Sequence, residues 1–117
     1  MGNPVVQFQI LSTAPDETAQ FYSELFGWNI GAADSIGYRR IDTASNTGIQ
    51  GGIWPADSPA PNLVQLFIAV EDLNNSVEKA HSLGARLLVA PTQLPQGASI
   101  AVLLDPSGMP FGLYRKS

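Results

Sequence analysis

"LVQLFIAVEDLNNSVEKAHSLGA", residues 63–85, writes a strand and a helix in one line. The run over 63–70 is rich in aliphatic and aromatic residues and reads as a strand. The stretch 72–84 reads as a helix, with Asp72 as N-cap and Gly84 just past its end. Leu73, Val77, Ala80 and Leu83 form its apolar stripe. The same unit occurs earlier in the chain. Residues 5–13, "VVQFQILST", alternate as a strand, and "APDETAQFYSELFG" follows as a helix. Pro15 suits its first turn, Asp16 and Glu17 suit the positive end of its dipole, and Gly27 is placed to end it.

At an offset of 58, Gln7 falls on Gln65, Ile10 on Ile68, Thr18 on Ser76 and Leu25 on Leu83. A one-residue adjustment brings Gly27 onto Gly84. Each copy is followed by three short strand candidates. They are 28–33, 38–42 and 49–54 in the first copy, and 86–90, 98–105 and 110–115 in the second. The chain therefore reads as two βαβββ modules, 1–54 and 63–117, joined by a linker over 55–62 that is rich in Pro and small residues. Any two strand–helix units look somewhat alike. The shared turn, glycine stop and three-strand tail favour an internal duplication.

A chain of 117 residues is one domain by size, and 44% hydrophobic with 14% charged residues suits a globular core. No apolar run approaches a membrane span, and no signal peptide is expected, so the cytoplasm is the expected location. Net charge is −4 with six scattered Lys and Arg, which argues against nucleic acid as a partner. The absence of cysteine removes disulfides, thiolate metal sites and a cysteine nucleophile.

Strand parity sorts the side chains. Val6, Phe8 and Ile10, and Val64, Leu66, Ile68 and Val70, are expected to pack the helices. Gln7, Gln9 and Leu11, then Gln65, Phe67 and Ala69, take the opposite face. That face carries no charge, which suits a pocket better than open solvent. Tyr114 shares parity with it, and Trp54 lies at a module edge. Phe8, Phe21, Phe26 and Phe111 are expected in the core.

"FYSELFGW" (21–28), "FIAVEDLNNSVEKAHSLGA" (67–85) and "LLDPSGMPFGLY" (103–114) resemble the vicinal oxygen chelate superfamily. That group contains glyoxalase I, bleomycin-resistance proteins and extradiol dioxygenases. The resemblance covers nearly the whole chain. It implies an α+β fold in which two βαβββ modules form one cupped mixed sheet. It also implies a divalent metal in the cup, held by His or Gln on each first strand and Glu on each last strand. By that resemblance Gln7 and Gln65 hold the first-strand ligand positions. The last strands depart from the pattern: 49–54 has no carboxylate, and the expected Glu position is Gly112. Two neutral amides are weak donors for a divalent ion, so no metal and no cofactor are expected.

His81, the only histidine, lies mid-helix and reads as a surface residue; alone, it builds neither a triad nor a two-His metal site. Asp105 precedes Pro106-Ser107-Gly108 and reads as a turn residue. Asp42, at a strand end, is the least improbable acid–base group, though a structural role is favoured. Gly51-Gly52 reads as a bulge, and "GIQGG" lacks the Lys and helix of a phosphate loop.

The expected function is a glyoxalase/bleomycin-resistance-like protein binding a small organic molecule through Gln7, Gln9, Gln65, Phe67, Tyr114 and Trp54, without metal. The alternative is a metal-dependent lyase, isomerase or dioxygenase of the same superfamily with ligands drawn from elsewhere. A third reading is a domain that serves assembly alone. The expected partners are a small molecule and a second copy in a homodimer, with no membrane.

Overall fold

The computed structural model describes residues 2–57 and 62–117. Within them lie eight strands and two helices: β1 (Val5–Ser12), α1 (Pro15–Phe26), β2 (Asn29–Ile30), β3 (Arg39–Asp42), β4 (Gln50–Pro55), β5 (Leu63–Ala69), α2 (Leu73–Ser82), β6 (Arg86–Gln93), β7 (Ser99–Leu104) and β8 (Pro110–Arg115). Each helix follows the first strand of its set and precedes three more, so the α+β class and the doubled βαβββ order are those read from the sequence. Part of the expected linker, 58–61, lies outside the described residues.

The chain forms two compact units. One is Gln7–Gln65. In it the strand order is β2-β3-β4-β1, with β4 parallel to β1 and antiparallel to β3. Ser12 starts α1 from the end of β1, because Ala14 has no capping side chain. Its Oγ accepts from Ala14 N–H at 2.9 Å and lies 2.7 Å from Thr18 Oγ1. At the far end Gly27, at φ +71°, donates its N–H to Ser23 O. That left-handed turn costs a glycine little.

Ile41 and Ile53 are completely buried in this unit. Around Trp28 gather Phe8, Tyr22 and Phe26, with ring centroids 5.4–5.6 Å away. The helix is less sunken than its periodicity predicts. Phe21, Leu25 and Phe26 are more than half exposed, and α1 has no fully buried residue. Phe21 and Phe26 are thus not core residues. Trp28, just after the helix, takes the packing position beside Phe8. The strand expected over 28–33 shrinks to Asn29–Ile30.

The other unit comprises residues 2–6 with Leu66–Ser117. Its strands run β5-β8-β7-β6, with β5 parallel to β8 and the remaining pairs antiparallel. Asp72 caps α2 by accepting from Asn75 N–H at 3.0 Å, as its position predicts. Leu73, Val77 and Ala80 pack on Ala85, Ala101, Leu103, Phe111 and Leu113.

The alternation of β5 is as expected, but the burial of its two faces is not. Val64 and Leu66 are 57% and 50% exposed, while Gln65 and Phe67 are buried. The reason is geometric: α2 packs on β6, β7 and β8, and it is Val70, just past the end of β5, that joins that core. Leu83, the last residue of the predicted stripe, is also exposed, because the helix has already ended at Ser82.

Candidate functional site

In the Gln7–Gln65 unit, β1 and β4 run in unbroken register, pairing Gln7 with Gln50, Gln9 with Gly52 and Leu11 with Trp54. These residues share one face, because side chains alternate along a strand. There is no bulge at Gly51-Gly52. Both glycines are instead places of close approach. A Cβ on Gly51 would strike the Phe8 carbonyl and ring, and a Cβ on Gly52 would strike the phenol end of Tyr38. The ring of Tyr38 therefore lies across Gly52, with its centroid 4.6 Å from that of Trp54, and its hydroxyl donates to Gly51 O at 3.4 Å.

Gln9 is 3% exposed. Its Nε2 donates to Gln7 Oε1 at 2.8 Å, and its own Oε1 is buried without a partner. Gln50, beside Gln7, is committed to structure: its Oε1 accepts from Thr43 N–H at 2.6 Å. The opposite face of the sheet carries the ion pair of Arg39 with Asp16, which ties β3 to the first turn of α1. Sequence parity puts Gln7 and Gln9 on this face, and Trp54, expected at the module edge, stands on it too. Tyr38, the first residue of the strand candidate over 38–42, is not among the expected site residues; the observed strand begins one position later, at Arg39. The signal was the glycine pair, since a side-chain-free spot on an otherwise apolar strand invites something to lie on it.

In the other unit, Phe67 is 2% exposed and packs with Ile100, Val102, Leu94 and Tyr114. Its register partner on β8 is Gly112. A Cβ on Gly112 would fall 2.5 Å from two carbons of the Phe67 ring. Phe67 matches Gln9 at the offset of 58, so Gly112 in one unit corresponds to Gly52 in the other. Both positions lack a side chain, and both are covered by an aromatic ring. Gln65, the last residue of the Gln7–Gln65 unit, is buried at 6% exposure.

A divalent ion does not fit these residues. The last-strand carboxylate that the resemblance leads one to expect is replaced by Gly112, and the room for a longer side chain is taken by Phe67. Among the described residues no three His, Cys, Asp or Glu side chains gather where they could hold a metal. Two amides alone are poor donors for such an ion. His81 is exposed on α2, and Asp42 Oδ1 accepts from Ala44 N–H in a turn. Asp105 is a turn residue as well. Its Oδ1 accepts from Ser107 Oγ at 2.6 Å, Ser107 N–H at 2.8 Å and Met109 N–H at 3.0 Å. Those bonds, the Ser107 hydroxyl first, lower its pKa. A cleft of about 350 Å³ beside Asp72, Gln93 and Arg115 lies apart from these residues, and Arg115 Nε there already donates to Glu71 O.

A doubled βαβββ chain with this strand order has the architecture of a glyoxalase-type domain. A family model described as "Glyoxalase-like domain" matches residues 6–114, and the chain belongs to that family, within the vicinal oxygen chelate superfamily. It is 25% identical over 109 residues to proteins of Mycobacterium bovis and Mycobacterium tuberculosis, each named "Putative glyoxylase CFP32". The match covers 92% of this chain and 42% of theirs, so the chain spans less than half the length of these curated relatives. Among solved structures, a hypothetical protein from Bacillus halodurans C-125 superposes with TM-score 0.73 at 16% identity, covering 100% of this chain and 96% of that one. Methylmalonyl-CoA epimerase from Mycobacterium tuberculosis does so with TM-score 0.69 at 17% identity, covering 97% and 87%. At such identities the likeness is one of fold. Among the described residues no helix is long and apolar enough to cross a membrane.

Proposed function

We propose that this glyoxalase-family domain binds a small, uncharged organic molecule on the face of Gln7, Gln9 and Trp54, and does so without a divalent metal. The observation that carries the reading is the buried, half-satisfied Gln9 amide beside the Tyr38–Trp54 ring pair. Polar groups set among aromatic ones, with no ionised side chain on the facing residues of β1 and β4, suit a neutral ligand. The metal-free part rests on the two covered glycines, which leave no place for a last-strand carboxylate. Gln65, Phe67 and Tyr114 belong to the same proposal as further ligand-facing residues. Of these Tyr114 is partly exposed, while Phe67, 2% exposed, packs against it from the core.

A thermal-shift screen of neutral aromatic and amide-bearing compounds tests this reading, because a ligand that binds only the folded chain raises Tm. Hits whose effect is lost in Trp54→Ala and Gln9→Leu support it. A screen without hits, or stoichiometric nickel, zinc, iron or manganese surviving dialysis, overturns it.

Assembly as a homodimer is part of the proposal. Support comes from Val64 and Leu66, apolar and half exposed on β5, and from the aromatic side of α1. Light scattering at micromolar concentration checks it, and a monomer there counts against it.

A further inference from the structure

We infer that the Gln7–Gln9 pair recognises a ligand edge carrying a hydrogen-bond donor next to an acceptor, as in a planar lactam, imide or primary carboxamide. The inference rests on the site proposed above and names the chemistry that site takes. The two side chains stand two residues apart on one face of β1 and share a single bond, Gln9 Nε2 to Gln7 Oε1 at 2.8 Å. Each amide has both a carbonyl and an NH2 group. After that bond, Gln9 keeps a carbonyl oxygen that is buried and unpartnered. Gln7 keeps its NH2 donors. Turning both amides over reverses the roles and leaves the same result: one acceptor and one donor, side by side. A ligand with only acceptors or only donors pairs with half of this. A carboxylate has no donor to give, and an ammonium has no acceptor.

Gln50, Gly52 and Trp54 restrict the shape of the ligand. Gln50 cannot add to the pattern, because its carbonyl is held by Thr43 N–H. Gly52, opposite Gln9 in the register, keeps the strand surface flat there, and the ring over it belongs to Tyr38. Trp54, two residues on, gives a second ring at a 44° tilt. The edge being read is thus attached to a flat, apolar body.

The test uses 2-quinolone, a planar lactam, and its N-methyl derivative, which keeps the ring and the carbonyl but lacks the N–H. Binding to the wild-type chain is measured by ligand-observed NMR or calorimetry. The expected result is that N-methylation weakens binding by about tenfold or more, as loss of a donor facing a buried acceptor does. In Gln9→Leu the two compounds should bind alike, with the lactam reduced to the level of its derivative. Should Gln9→Leu fail to fold, the comparison on the wild-type chain still decides. Equal binding of the two compounds to wild type overturns the inference and leaves the small-molecule reading standing. Binding of neither, while other neutral compounds raise Tm, overturns it in the same way. If no compound of any class binds, both readings fall together.

Discussion

Phe67 and Gly112 sit opposite one another on β5 and β8, and the ring of the first occupies the volume in which the second would carry a side chain. Neither residue is intelligible alone. Glycine within a strand weakens it, and a phenylalanine at 2% exposure needs somewhere to lie.

Gly112→Ala should therefore destabilise the chain by about 1–3 kcal/mol, the usual cost of overpacking a filled core. Phe67→Leu in the same chain should recover part of that loss, because contacting residues couple in a double-mutant cycle. Urea titration of the four proteins measures the coupling. Strict additivity would mean that the ring moves aside freely.

The three covered glycines should differ in their tolerance of alanine. At Gly51 the obstruction includes the Phe8 backbone carbonyl, which cannot turn away. At Gly52 it is the phenol end of Tyr38, a side chain that turns away only by giving up its bond to Gly51 O and its packing on Trp54. The expected order of Tm loss is Gly51→Ala, then Gly112→Ala, then Gly52→Ala. Finding Gly52→Ala the most damaging would show that Tyr38 is held as firmly as backbone.

Replacing one glutamine of the pair should cost more than replacing both. Gln7→Leu strands the Gln9 NH2 as well as its carbonyl, and should cost about 1–3 kcal/mol, as buried unpaired polar groups do. Gln7→Leu with Gln9→Leu removes the whole polar set and should bring stability back to the wild-type level or above. Chemical denaturation separates the cases. A double variant less stable than Gln7→Leu would mark the amide pair as scaffold.

Asp105 should titrate below the value of roughly 3.9 for an unperturbed aspartate. The hydrogen bonds from Ser107 and Met109 favour its charged form. A depressed folded pKa contributes stability that is fully present above the unfolded pKa, and that is lost as pH falls through the folded one. Ser107→Ala should raise the Asp105 midpoint in a carboxyl NMR titration, since the hydroxyl is its largest cause. An unmoved midpoint would transfer the effect to the backbone donors.

What the sequence made legible follows physical period and cap chemistry. The duplicated strand–helix unit, the Asp72 cap and the Gly27 stop are local signals, and each reappears in place. Alternation, which a regular strand obeys, put Gln7 and Gln9 on one face of β1. Depth was harder to read. Phe21 and Phe26 look like core on a helical wheel, but Trp28 holds the place beside Phe8. Val64 and Leu66 look like helix packing until α2 is seen lying on β6, β7 and β8. Tyr38 could not be read at all from its neighbours, because its partner is a glycine fourteen positions on. Contacts set by tertiary placement leave only an indirect mark, here an absence of side chains.

Every residue of β6 is exposed, and Leu87, Leu88 and Val89 stand there in a row at the end of their unit's strand order. Such an outer strand is a template on which another chain could add itself without limit. In β6 the template is spoiled. Its pairing with β7 slips between Leu87 and Val89 and again between Val89 and Thr92. Within the second of those slips stands Pro91, which has no N–H to offer. The chain thus ends this unit's strand order with broken spacing and a missing donor, which blunts an edge that its aliphatic side chains alone would make adhesive.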